Sequence, residues 1–289
     1  MINAVNESKI LIEIENFVED VSIRKRKPRN FYNQLTELLF QLSQIYNPDY
    51  SYVPAIEAVI ELLLDLGEYL DDPECLYERL IKISFEDIQR DFKWHYCRHK
   101  RQLRDHRHSE SENTQTLVNR MQRISNKYSR ILVVRVDLAY PLKSQDQMGI
   151  LDFKNDMDVL RTRLRDQDTV FNGLVESAWA LEQGEDKGYH CHLLLVYKGS
   201  ERRSAYSVAH RVGKLWSEIT EEQGCHFNCH TAAYLKQFSD RNRLGIGMIH
   251  RKNSDEVNNM LNTVKYLVRP EKESQHLRVK TKKRMRTFG

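Results

Sequence analysis

The residues with the clearest chemical potential are one carboxylate and two histidines that the chain places close together. Glu182 precedes a short glycine-containing turn, and the motif His190-Cys191-His192 then opens an apolar β-type run. This pattern predicts two strands joined as a hairpin. Since side chains alternate faces along a strand, His190 and His192 share one face and Cys191 lies on the other. If Glu182 pairs with His190, it joins the histidine face, and the small Ala180 lies opposite His192.

Two imidazoles and one carboxylate suit a divalent cation with open coordination positions, which can polarise a phosphate or activate an oxygen nucleophile. Histidines that are merely hydrogen-bonded within a sheet would give the same pattern. A second His-x-His, at residues 106–108, lies in a polar stretch, and we interpret it as solvated coil without chemistry. Because the later pair has an apolar strand, a turn and a suitably placed carboxylate, we predict that Glu182, His190 and His192 bind a metal.

Composition and charge narrow the classes of protein. The chain has 289 residues, 40% of them hydrophobic and 30% charged, which is typical of one large or two ordinary globular domains. No apolar run approaches the roughly 20 residues of a membrane span. The first residues lack the features of a signal peptide, and the five cysteines form no regular framework. We therefore expect a cytoplasmic protein with reduced thiols and no membrane partner.

The net charge of +4 is unevenly distributed. Residues 98–130 carry nine Lys or Arg against three acids, and residues 269–289 carry eight against two. Residues 50–93 are acidic. Basic segments of this kind favour a polyanionic partner, although solvated surface charge explains them as well.

The first hundred residues are predicted to be helical, because apolar residues recur there at helical spacing between prolines. The predicted helices are residues 7–22, 31–46, 54–70 and 74–97. We interpret residues 1–100 as an α-helical accessory domain, residues 101–120 as a basic linker, and residues 121–289 as a second domain.

The second domain alternates strands and helices in the order β-α-β-β-α-β. The predicted strands are residues 131–138, 174–182, 189–197 and 245–250, and the predicted helices are residues 148–167 and 207–222. This order is that of the split βαβ, or ferredoxin-like, arrangement. We therefore predict an α+β fold with a central antiparallel sheet, whose third strand is interior and carries the two histidines.

A last helix is predicted for residues 255–268, with Ser254 as its N-cap. One stripe of this helix is apolar. A second stripe, on roughly the opposite side, contains Asn259, Asn262, Tyr266 and Arg269. The pattern is compatible with an exposed tyrosine on a surface helix, or with a nucleophilic tyrosine beside a cation that contacts a phosphate.

These pieces together resemble the HUH endonuclease superfamily of metal- and tyrosine-dependent replication initiators and relaxases. Its histidine motif is matched by residues 190–192, its third ligand by Glu182, and its Tyr-x-x-Lys motif by residues 266–269, Tyr-Leu-Val-Arg. Arginine replaces the usual lysine there and keeps the charge. The first-strand motif is matched loosely by residues 135–138, Arg-Val-Asp-Leu.

Residues from about 125 to 289 resemble more closely the inovirus (filamentous-phage) gene-two-type replication proteins, including the YagK/YfjJ C-terminal domain family of phage-like islands. The likeness depends on an ordered set of short motifs. They are Arg-Val-Asp-Leu, Gly-Tyr-His-x-His, Gly-Ile-Gly, Lys-Tyr-Leu-Val and a terminal Arg-Thr-Phe-Gly.

The resemblance implies a site- and strand-specific endonuclease that nicks and rejoins DNA to initiate rolling-circle-type replication of a phage, prophage or phage-like island. Tyr266, with Arg269, would form a 5′-phosphotyrosine link, and Mg²⁺ or Mn²⁺ would be held at the histidines. The protein would act in the cytoplasm of a bacterium, whether its gene is bacterial or phage-encoded.

The implied partner is single-stranded or hairpin origin DNA. A host helicase is a second candidate partner, since the chain lacks a P-loop. Asp137 is interpreted either as a structural residue or as a further carboxylate facing the metal. The basic side chains expected to contact DNA are Arg135, Lys265, Lys280, Lys282, Lys283 and Arg284.

Several alternatives remain at this stage. A relaxase or single-strand transposase would keep the same chemistry. A non-catalytic single-stranded nucleic-acid binder would need aromatic residues on the sheet face, where this chain has His, Glu and Ala. A zinc module at residues 225–230 or 95–99 lacks the paired spacing of a structural zinc site. Tyr189 and Tyr234 are rival nucleophiles; alternation turns Tyr189 away from the histidine face, and Tyr234 lacks a cation three residues later.

Overall fold

The computed structural model describes residues 5–267 and 275–289, except for the side chain of Tyr266, and it shows an α+β protein. The chain divides into two compact units. The first unit comprises Met1–His106, Gln145–Leu151 and Leu277–Met285, and the second comprises Arg107–Ser144, Asp152–His276 and Arg286–Gly289. None of the described helices combines the length and the apolar character that a membrane crossing requires.

The first unit is built mainly from helices whose apolar faces pack together. These are α1 (Glu7–Ile23), α2 (Phe31–Ile45), α3 (Pro54–Asp65), α4 (Pro73–Leu80) and the first part of α5 (Phe85–Lys127). A two-stranded antiparallel sheet joins β1 (Ser51–Tyr52) to β7 (Val279–Lys280), a pairing that the sequence analysis did not predict. The helical accessory region is thus present, with one predicted helix, 74–97, divided between α4 and α5.

The prediction of a linker at residues 101–120 is wrong in conformation, because these residues lie within α5. No Gly or Pro occurs between Phe85 and Lys127, so nothing in the backbone ends the helix. The second His-x-His is therefore helical rather than coil, and His108 lies 3.8 Å from Glu112, one turn further along the helix. Near the end of α5, Leu117 and Met121 are fully buried in the core of the second unit.

The second unit contains a five-stranded antiparallel sheet with helices on both faces. After β2 (Arg130–Ala139) come α6 (Leu142–Gln145), α7 (Ile150–Asp166), β3 (Leu174–Gly184), β4 (Gly188–Lys198), α8 (Ala205–Ile219), β5 (Cys225–Asn228), α9 (Ala232–Ser239), β6 (Gly247–His250) and α10 (Ser254–Leu267). The strand order is β3-β4-β2-β5, and β6 also pairs with β2. This order is that of the predicted ferredoxin-like topology, with β4 in the interior.

The predicted fourth strand is shared between two short strands. β6 pairs with Arg130–Val133, the first half of β2, whereas β5 pairs with Val136–Ala139, the second half. The sequence analysis found only the β6 strand, because β5 is too short to show a clear two-residue period. Along the outer edge of β3, residues 287–289 form backbone hydrogen bonds to Trp179 and Leu181.

Opposite faces of the sheet have different neighbours. On one face, Trp216 of α8 donates an indole hydrogen bond of 3.1 Å to the carbonyl of Ala139, and Phe153 of α7 stacks on Tyr189. On the other face, Leu117 and Met121 of α5 join residues of α10 in one buried cluster. Strand alternation assigns this second face to the histidines.

Candidate metal centre and adjoining cleft

The β3–β4 hairpin places the three predicted ligands on one face. Its register pairs Glu182 with His190 and Ala180 with His192, as predicted from strand alternation. Glu182 Oε2 lies 3.4 Å from His190 Nε2 and 3.2 Å from His192 Nε2. All three residues are at most 9% exposed.

The outer nitrogens of both imidazoles are already engaged. His190 Nδ1 lies 3.0 Å from the carbonyl of Gly188, and His192 Nδ1 lies 2.7 Å from Asp137 Oδ1. Because both partners are acceptors, each Nδ1 donates to its partner, and each Nε2 is the nitrogen that faces Glu182.

One buried atom in this group lacks a hydrogen-bond partner. His190 Nε2 is fully buried and accepts no hydrogen bond within the described part of the chain. A buried polar atom of this kind is costly unless something binds it. The donor atoms of Glu182, His190 and His192 all lie within 4.8 Å of one another, so a single divalent cation fits among them. These residues could therefore hold a metal ion.

Asp137 supports this group from behind. It lies opposite His192 in the β2–β4 register and is bonded to the nitrogen that faces away from Glu182. Burial opposes ionisation of Asp137, but the His192 hydrogen bond and the charge of Arg135, 3.2 Å away, hold its pKa well below the usual value. Of the two interpretations of Asp137, the structure favours the structural one, because this carboxylate orients His192 from the side away from Glu182.

A further histidine, whose part the sequence analysis missed, fixes the backbone of β2. The N–H of Arg135 donates to His230 Nε2 over 3.0 Å. Burial lowers the pKa of His230 to about 4, so this imidazole is a neutral acceptor at pH 7. His230 follows β5. Its contact with Arg135 depends on the pairing of β5 with β2, which no local sequence pattern predicts.

The helix that bears the predicted nucleophile covers the histidine face. Met260 of α10 shares a buried cluster with Leu194 of β4, and Leu194 points to the same side of the sheet as His192. The backbone of α10 includes Tyr266. The side chain of Tyr266 and the whole of Arg269 lie outside the described residues, so their roles stay predictions.

The two rival tyrosines have different surroundings. Tyr189 is 2% exposed and stacks on Phe153, on the face away from the histidines, as alternation predicted. Tyr234 of α9 is half-buried and close enough to Arg135 for their charges to interact. Burial raises the pKa of Tyr234, which disfavours the phenolate needed for attack.

A cleft of about 650 Å³ adjoins the metal centre through Arg135. Its lining is Arg135, Tyr234, Phe238, Arg243, Leu244, Gly245, Ile246, Asn259, Asn262, Thr263 and Lys265. Two of the predicted DNA-binding residues, Arg135 and Lys265, thus lie in one cleft. The others belong to the first compact unit, where Lys280 is in β7 and the exposed residues 282–284 follow it.

Residues 225–230 do not form a metal cluster of their own: among the described residues, the groups of three potential ligands include no cysteine. Cys225 is exposed and Cys229 is buried. A model of the YagK/YfjJ C-terminal domain matches residues 93–289. The chain belongs to this family.

The YagK/YfjJ C-terminal domain match includes every residue of the metal centre and of the cleft, and it leaves helices α1–α4 outside. Neither a curated protein nor a solved structure matches the chain significantly. The resemblance to the wider HUH superfamily therefore continues to depend on the motifs.

Proposed function

We propose that this protein is a metal-dependent, site- and strand-specific DNA-nicking and rejoining endonuclease of the HUH type. In this proposal, it resembles inovirus gene-two-type initiators and starts rolling-circle-type replication of a phage, prophage or phage-like island. The observation that carries the proposal is the convergence of Glu182, His190 and His192, with both Nδ1 atoms engaged and a buried His190 Nε2 that forms no hydrogen bond with the described residues.

The bound cation would supply charge neutralisation at a scissile phosphate and orient it for in-line attack. Two imidazoles and a carboxylate suit Mn²⁺ better than Mg²⁺, which prefers oxygen ligands and keeps its waters. Asp137 would hold His192 in the tautomer that presents Nε2, while Arg135 keeps Asp137 ionised.

Tyr266 would act as the nucleophile. Its phenolate oxygen forms a bond to phosphorus while the bond from phosphorus to the 3′-oxygen breaks, and the leaving 3′-oxygen takes up a proton. The product is a 5′-phosphotyrosine link, from which a free 3′-hydroxyl can regenerate the DNA strand. Because a tyrosine pKa is near 10, the site must favour the phenolate, at about 1.4 kcal/mol per pKa unit. Arg269, three residues after Tyr266, is the cation that the Tyr-x-x-Lys-like motif would assign to this task.

Covalent capture of DNA tests the nucleophile. Incubation with single-stranded oligonucleotides that carry candidate hairpin origins should give a protein–DNA adduct that survives a denaturing gel. Tyr266→Phe should abolish the adduct and leave DNA binding largely intact, because it removes only the attacking oxygen. Tyr234→Phe is the matched variant and should retain the adduct. An adduct formed by Tyr266→Phe and lost in Tyr234→Phe would reassign the nucleophile.

Metal dependence tests the other half of the proposal. Nicking should require Mn²⁺ or Mg²⁺, with Mn²⁺ effective at lower concentration, and should be lost in His192→Ala. The chain offers its own control in the second His-x-His, since His108 is exposed on α5 and His108→Ala should nick normally. Full nicking by His192→Ala, or by the wild type in excess chelator, would remove the metal from the mechanism.

A further inference from the structure

Three aromatic side chains gather on the surface beside the metal centre. Phe227 of β5 packs edge-on against Tyr234 of α9 with ring centroids 5.3 Å apart, and Phe238, one turn further along α9, lies 5.0 Å from Tyr234. Phe227 is 47% exposed and Phe238 is 36% exposed. A cluster of exposed rings is an unusual cost for a protein surface unless it meets a ligand.

Gly245, another residue of the cleft lining, lies very close to α10. A Cβ atom on Gly245 would lie 2.1 Å from the backbone carbonyl oxygen of Asn259, so this position requires glycine. The amide of Asn259 donates to the carbonyl of Asn242, which further fixes the segment that carries Arg243. The cleft lining therefore combines Tyr234 and Phe238 with side-chain amides of α10 and a segment held in place by packing.

The cleft also carries cations that are available to a ligand. Arg243 and Lys265 are exposed, and neither forms an ion pair with any carboxylate in the ranges 5–267 and 275–289. Arg135 lies at the inner end, where its guanidinium contacts Asp137 of the metal centre. Positive charge therefore extends from the rim of the cleft to the outer shell of the metal ligands.

Stacking rings, free cations and side-chain amides in one cleft match the chemistry of an unpaired nucleotide. Every base has a face that can stack on an aromatic ring, whereas bases within a duplex have those faces covered. The cations would serve the phosphates. An apolar peptide would leave Arg243 and Lys265 without a partner, so a nucleotide is the better occupant.

We propose that this cleft binds an unpaired nucleotide of the DNA strand beside the scissile phosphate, with its base on Phe238 and Tyr234 and its phosphate between Arg243 and Lys265. This proposal rests on the proposed function, because it describes how the DNA partner of that endonuclease would be bound. The cleft would make the protein select single-stranded over double-stranded DNA independently of metal and of the nucleophile.

Fluorescence anisotropy with labelled oligothymidine of about 16 nucleotides, in EDTA, tests the stacking surface. Phe238→Ala should weaken binding between about 5-fold and 150-fold, since stacking contributes that much per base. Phe238→Tyr keeps a ring and should bind like the wild type. Phe40→Ala is the matched control, because Phe40 is 38% exposed on α2, away from the cleft lining.

The salt dependence of the same binding tests the cations. Arg243→Gln should reduce the slope of log affinity against log salt by about 0.7, the value for one phosphate contact on a single strand. The control Arg203→Gln, an exposed arginine outside the cleft lining, should leave the slope unchanged. A duplex of the same length should respond to Phe238→Ala no more than to Phe40→Ala.

Unchanged oligothymidine affinity in folded Phe238→Ala, or equal losses for duplex and single strand, would overturn the nucleotide cleft. Circular dichroism and thermal unfolding establish that each variant is folded. Because the assay contains no metal and forms no covalent bond, its failure would leave covalent capture through Tyr266 untouched. Conversely, absence of the adduct with intact, Phe238-dependent binding would count against nicking and not against the cleft.

Discussion

Each compact unit contains a buried histidine beside a buried glutamate, and the difference between the two groups explains why only one is assigned a metal. In the first unit, Glu15 lies 2.8 Å from His99 Nε2, and the guanidinium of Arg278 contacts its other oxygen at 2.5 and 2.6 Å. In the second unit, Glu182 meets the Nε2 atoms of His190 and His192.

In the first group a buried arginine pairs with the glutamate. In the second group the nearby arginine pairs with Asp137 instead of with the glutamate. Arg278 is 2% exposed, so its charge and that of Glu15 compensate each other inside the unit. In the second group the nearby guanidinium, from Arg135, contacts Asp137 behind the histidines. A buried glutamate and histidine therefore do not by themselves make a metal site; in our assignment, the residue with which the nearby arginine pairs decides it.

The largest expected effect concerns stability. Glu15→Gln should lower the free energy of unfolding by about 3–5 kcal/mol, because it removes the charged partner that the buried Arg278 has in Glu15. Glu182→Gln, studied in EDTA, should change it much less, because among the described residues no buried arginine pairs with Glu182. Urea unfolding of both variants measures the difference, and equal losses would break the comparison.

The next effect concerns the supporting carboxylate. Asp137→Asn should weaken Mn²⁺ binding by about 10-fold to 100-fold, because an amide no longer fixes the proton on His192 Nδ1. Asp156→Asn is the matched control, since the Asp156 carboxylate accepts a hydrogen bond from the Tyr140 hydroxyl rather than from an imidazole. Free Mn²⁺ measured by electron paramagnetic resonance follows both titrations. Identical affinities for the two variants would exclude the supporting role.

The pH dependence of stability extends the comparison to another buried histidine, His230. Because burial lowers the pKa of His230 to about 4, the unfolded chain binds a proton below pH 6.5 that the folded chain does not. Acid therefore favours unfolding. Between pH 7 and pH 5 the wild type should lose about 2 kcal/mol more stability than His230→Gln. His108→Gln, at an exposed histidine, should behave like the wild type. Urea unfolding at both pH values gives the measurement, and parallel losses would show that His230 titrates normally.

Local patterns predicted much of the fold and the three metal-binding candidates. The register of Glu182 against His190 followed from a two-residue period and a short turn, both of which are local properties. The coil predicted near residue 106 was wrong, because polarity was taken as a sign of coil although neither glycine nor proline interrupts the segment.

The supporting contacts could not be predicted from the sequence, because they depend on long-range pairing. Asp137 meets His192 only once β2 and β4 are aligned, and His230 meets Arg135 only beside β5. The cleft likewise brings Arg135 of β2 together with α9, residues 243–246 and α10, which are distant from β2 in sequence. The roles of Tyr266 and Arg269 stay predictions that the covalent-capture experiment addresses.

The most direct test of the metal centre is anomalous X-ray scattering from crystals of the wild-type protein soaked in Mn²⁺. We expect one manganese peak per chain, bounded by His190 Nε2, His192 Nε2 and a Glu182 carboxylate oxygen, and no such peak in crystals of His192→Ala. A peak at Glu15 and His99, or none at the β3–β4 hairpin at saturating Mn²⁺, would contradict the assignment.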